Sequence, residues 1–179
     1  MLRAAELVAG AEALAEAKAY LRIEGGDEDA LVARLVGAAA ELCEGFTGQT
    51  LIVREMREVL AARGAWQRLG AVPVTAIDGV ETLPVEGPPA AVPASGYAID
   101  IDAAGQGWVR LTAPGEPKRV RVTYQAGLAE DWHGLPASLR QGAVRLAAHL
   151  YAQRDEAVRA APPAAVAALW RPWRRLRLC

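Results

Sequence analysis

RVRVTYQAGLAEDWHGLPASLRQGAVRLAAHLYAQRDE, residues 119–156, changes its period halfway along. In RVRVTYQAG (119–127) apolar and polar residues alternate, which puts the two kinds on opposite faces of an extended strand. After a short loop, Leu139, Ala143, Leu146, Ala147 and Leu150 recur at three- and four-residue spacing. That spacing predicts an amphipathic helix over 135–156. Pro136 suits its first helical position, where a missing N–H costs nothing. A strand that feeds a long helix directly makes this a mixed fold.

Upstream, GYAIDID (96–102) and WVRLTA (108–113) also alternate, with GQG between them as a hairpin turn. AVPVTAIDGVETL (71–83) is β-branched and carries an Asp78-Gly79 turn signal. Residues 84–95 hold four of the eleven prolines and read as a loop. LIVREMREVLAA (51–62) fits either period and suits extended chain better. The prediction is an antiparallel β insertion of four or five strands over 51–127.

Helices flank it. AEALAEAKAYLRI (11–23) is helical in composition and ends before Gly25-Gly26. In residues 27–48, three acids load the N-terminal turn, as a helix dipole favours. Leu31, Leu35, Leu42 and Phe46 then mark one face, flanked by Val32, Val36, Ala39 and Cys43, and Gly48 is placed to end the helix. PPAAVAALW (162–170) makes a short helix that Pro172 stops. The expected fold is one α+β domain over 1–179, mainly helical, with about four helices in 11–48 and 135–170. The chain would finish on an extended C-terminal arm, 171–179.

Net charge is −1, but Arg171, Arg174, Arg175 and Arg177 put four positive charges in the last nine residues, so the remainder carries −5. An acidic body argues against a nucleic-acid-binding face. Much of the 53% hydrophobic content is alanine, and there is one Phe. Alanine faces bury little area, so a core of this kind leans on neighbouring subunits. Two cysteines, Cys43 and Cys179, make no disulfide framework. The opening residues have acids within their apolar run, unlike a secretory leader, and no stretch reaches the length of a membrane span. A cytosolic, soluble protein without membrane contact is expected.

Chemistry-bearing residues are few. The two serines, Ser95 and Ser138, fall in the proline-rich loop and in a helix's first turn, where Ser138 would satisfy backbone donors. No nucleophile elbow, phosphate-cradling loop or chelating Cys/His pair is present. Asp100 and Asp102 share a strand face, which reads as a solvated face with Ile99 and Ile101 turned inward. His133 reads as a loop residue and His149 as a helix-boundary residue. The expectation is a protein that is not an enzyme and takes no metal or cofactor.

Two blocks in order resemble a known family. Residues 18–52 carry Lys18, Leu21 and Arg22, an acidic turn, a helix and then Thr47-Gly48; residues 119–156 carry Tyr124, Ala126, Gly127, Pro136, Tyr151 and Arg154. Together they are similar to the head–tail connector (adaptor) proteins of tailed bacteriophages. The segment PPAAVAALWRPWRRLRL further resembles the versions found in bacterial gene transfer agents.

The resemblance implies a structural protein of a virion or phage-like particle, assembled in the bacterial cytoplasm. It implies a homo-oligomeric ring, usually of twelve subunits, under the portal protein. A stopper or tail-proximal protein would lie below, with DNA passing non-specifically down the channel. It also implies that the terminal arm docks on the portal. Leu176 and Leu178 would point into the partner and Arg175 and Arg177 away, with Trp170 and Trp173 as anchors beside Arg171 and Arg174. Arg140, Arg145 and Arg154 would meet an acidic face of the next subunit, or else be the solvated side of their helix. The alternatives are a small DNA-binding protein gripping phosphates through its arginine-rich tail, and a related stopper or tail-completion protein.

Overall fold

The computed structural model describes residues 2–4, 10–113, 118–153 and 162–175. They fall into two compact units: residues 1–6 with 53–128, and 7–52 with 129–179. The architecture is α+β, with the β insertion forming the first unit.

That unit holds β1 (Leu2–Ala4), β2 (Arg54–Ala61), β3 (Gln67–Arg68), β4 (Val74–Thr82), β5 (Ala90–Ala91), β6 (Tyr97–Ile101), β7 (Gly107–Leu111) and β8 (Arg119–Ala126). More strands form than the four or five expected. The proline-rich loop supplies β5, and the first residues add β1. One antiparallel sheet runs β1-β2-β8-β4-β5 and a second runs β3-β7-β6. β8 is central because its alternation is cleanest: Val120, Val122, Tyr124 and Ala126 are all buried.

Asp78-Gly79 does not turn the chain, contrary to expectation. β4 runs through it, with shifts in register against β8 between Val74 and Ala76 and between Ile77 and Gly79. A glycine inside a strand marks a bulge as readily as a turn. At the real hairpin, Gly105 takes φ +72, and the Asp102 carboxylate accepts from the backbone N–H groups of Ala104 and Gln106, each at 2.9 Å. Gly107 is required by crowding, since a Cβ there would lie 2.8 Å from both Leu69 and Val74.

Unit two holds α1 (Ala11–Leu21), α2 (Asp29–Thr47), α3 (Ala137–Ala152) and α4 (Ala164–Trp170), followed by a 3-10 turn over Arg171–Trp173. α3 packs on α2 and α4, and α1 packs on both α2 and α3. Gly48 ends α2 in the left-handed conformation, φ 68. Pro136 caps α3 rather than opening it, and its carbonyl accepts from Leu139 N. The buried stripe of α2 is Val32, Val36, Ala39, Ala40, Cys43 and Thr47, while Leu42 is 41% exposed. The residues expected to flank the apolar face are thus its centre. α2 meets α1 and α3 through small side chains, which allow close approach of the backbones, and the leucines lie to the side.

Candidate functional site

The C-terminal segment holds most of the residues that the sequence singles out. In α4, Trp170 is fully buried. Its indole N–H donates to the Leu139 carbonyl at 3.3 Å, and its ring meets Phe46 at 5.9 Å and 53°. Gly142 in α3 makes the room: a Cβ there would sit 2.1 Å from Trp170 Nε1. Trp170 as an anchor reaching into a partner is therefore corrected. It plugs its own helical core, because a bulky aromatic fills what alanine-faced helices leave open.

Trp173 is half-buried, and its indole N–H donates to Ser138 Oγ at 2.9 Å. Ser138 thus serves Trp173 and makes no cap to the α3 backbone, a second correction. The Trp173 carbonyl accepts from Gln49 Nε2 at 2.6 Å, and Arg175 N donates to the Thr47 carbonyl at 2.8 Å. Arg174 lies over the Phe46 ring at 5.6 Å. The segment is thus fastened down as far as Arg175, five residues further than an arm starting at 171 would allow. Leu176, Arg177 and Leu178 lie outside the described residues, as does Arg154. Arg171 and Arg174 are exposed.

Arg140 is turned to its own subunit: Nη1 donates to the His133 carbonyl at 2.9 Å, and Nε lies 4.0 Å from Glu16. Glu16 in turn accepts from the Trp132 indole at 2.7 Å. Arg140 and Arg145 are both half-buried, and the Nε of each is buried with no hydrogen-bond partner among the described residues. Neither is a fully exposed arginine. His133 faces Glu12 at 2.8 Å in an exposed pair, and His149 is half-buried near the end of α3.

Cys43 is buried, and burial pushes its thiol up to about 12, aided by the neighbouring Glu44 charge. A thiol held protonated is a packing group. Among the described residues, no three His, Cys, Asp or Glu side chains converge as a metal site. No helix described is long and apolar enough to cross a membrane.

One expectation fails in an informative way. Ile99 and Ile101 do not turn inward; they are 45% and 38% exposed. They share a face with buried Val109, but β6 is the edge strand of its sheet. Alternation says which residues share a face, and carries no signal of whether anything covers that face. Trp66, 44% exposed, was likewise missed; Arg110 stacks on it at 4.9 Å.

No model of a known protein family matches the chain, and no curated protein does. Solved structures do. A chain of the virion of the native gene transfer agent (GTA) particle is 30% identical, with a TM-score of 0.78 over all of this chain and 97% of the other. The chain belongs to the family of gene transfer agent particle proteins. Two more matches, with the same coverage and 29% identity, come from the neck of the empty particle computed with C6 symmetry (TM-score 0.80) and of the native particle computed with C12 symmetry (0.77). For a neck protein, a structural part of a particle, the surfaces that matter are those that meet other subunits. Among the described residues, the β6 edge with Ile99 and Ile101, and the side chains of Arg171 and Arg174, are exposed.

Proposed function

We propose that this neck protein is the adaptor: a twelve-copy ring under the portal protein, joining head to tail and leaving a channel for DNA, with a stopper or tail-proximal protein below. The supporting observation is the match along the whole chain to a neck chain of a particle computed with C12 symmetry. The particle would be its location. The portal contact is the basic end, Arg171, Arg174, Arg175, Leu176, Arg177 and Leu178, with half-buried Trp173 at its root. An alternating basic and apolar strand can add main-chain hydrogen bonds to a partner's sheet or groove, and arginine is favoured at interface centres. Arg145, half-buried on α3, meets an acidic face of the adjacent copy through its terminal guanidinium nitrogens.

The test is co-purification with the cognate portal protein, with the complex mass measured. Truncation belongs after Arg175, because a cut before Trp170 would remove the core. The full chain is expected to bind as a ring and the truncated chain to lose the portal while keeping its own fold. Equal binding by both would remove the role given to the arm. A full chain that ignores the portal but shifts DNA in a salt-sensitive way would replace the adaptor with the DNA-binding reading.

A further inference from the structure

Among the described residues, four strands stand at sheet edges. β3 and β5 have two residues each, which leaves β1 and β6, both in the same unit, as edges long enough to pair. Natural proteins usually blunt such edges with a proline, a bulge or a covering loop. β6 (YAIDI) has no proline and pairs with β7 without a shift in register, and both its isoleucines are exposed.

The ladder shows which backbone groups are spare. Thr112 N donates to Gly96 O and Asp102 N to Gln106 O, so the even-numbered residues of β6 bond to β7. Ile99 and Ile101 therefore point their N–H and C=O groups away from it. Likewise Ala62 N donates to Lys118 O, so even-numbered residues of β2 face β8 and Arg57 faces β1. The Arg3–Arg57 pair is then the hydrogen-bonded one, and Leu2 and Ala4 point their backbone groups outward.

We infer that β1 of one copy adds antiparallel to β6 of the next, a contact that rests on the ring reading above. The register that joins the spare groups sets Leu2 against Ile101, Ala4 against Ile99, and Arg3 against Asp100. Apolar residues meet apolar ones on one face and opposite charges meet on the other. Pairing β6 with β6 about Asp100 would instead set aspartate against aspartate and stop at two copies. A β1-to-β6 contact joins unlike surfaces, the kind that propagates from copy to copy until it closes a ring.

The test uses the full chain with the cognate portal, in a Cys179→Ser background. Arg3→Cys with Asp100→Cys places two thiols at a non-hydrogen-bonded pair, where Cα atoms lie about 4.5 Å apart, within disulfide reach. Mild oxidation of the assembled ring is expected to give a ladder of dimers, trimers and larger species. Asp100→Arg alone should weaken association about two- to fivefold per interface, and adding Arg3→Asp should restore it. Rings that form normally but yield no ladder, or dimers only, and that ignore the charge reversal, would overturn this contact and leave the adaptor reading intact. Failure of the unaltered chain to form a ring on the portal would overturn both.

Discussion

The two units hold themselves together differently. The helical unit packs small residues, Ala13, Ala17, Ala39, Ala143 and Ala147, around a few large ones, among them Leu139, Leu146, Trp132 and the fully buried Trp170. The β unit spreads its burial over β-branched and aliphatic side chains and adds one buried polar knot. There the Tyr124 hydroxyl donates to Glu58 Oε2 at 3.1 Å and accepts from Ala71 N at 3.0 Å, while the same carboxylate accepts from Gly70 N at 2.8 Å. A core of small faces concentrates its stability in few residues, and a sheet core distributes it. That makes the helical unit the more breakable by one substitution.

Trp170→Ala tests this most severely. It should cost the helical unit about 3–5 kcal/mol in denaturant unfolding, more than any single truncation in the β unit. Gly142→Ala should act on the same contact, since its Cβ has nowhere to go unless the indole moves. Overpacking of that kind costs about 1–3 kcal/mol. Combined with Trp170→Ala it should cost much less than the sum, because the cavity accepts the methyl group. An additive double variant would mean that Gly142 matters for some other reason.

Tyr124→Phe is the matching test in the β unit. It leaves the Ala71 N–H and the Glu58 carboxylate short of a partner, for a loss of about 1–3 kcal/mol. Alkaline titration separates the units further. Burial raises both the Cys43 thiol and the Tyr124 hydroxyl above their ordinary values of 9.0 and 10.0. Each therefore favours the folded state fully below its ordinary value and loses that contribution as pH rises toward its folded one. Unfolding curves should show the helical unit weakening from about pH 9 and the β unit from about pH 10, and Cys43→Ala should remove the earlier decline. The smallest effect is expected at Ser138→Ala, about 0.5–1.5 kcal/mol, because it frees only the Trp173 indole N–H.

Much of the fold was legible in local pattern. The period change between 119–127 and 135–156 placed β8 and α3, and Gly48 did stop α2. Asp78-Gly79 misled because a turn dipeptide and a bulge have the same composition, and the continuation of β4 past it depends on β8 lying alongside. The functional surfaces were less legible. Trp170 looked like an exposed anchor because it stands in a basic tail; only Gly142, 28 residues earlier, reveals the slot that takes it.

By itself the sequence determined what neighbouring residues decide among themselves: period, helix ends, the α+β class and the polarity of the C-terminal end. Which strand became an edge, and which aromatic became core, was decided only by the tertiary structure. Burial is a property of what packs against a residue, and the packing partners come from distant parts of the chain. Ile99 and Ile101 follow the same alternation as Val120 and Val122, yet the first pair is exposed and the second buried. The difference is that β8 has a strand on both sides and β6 on one.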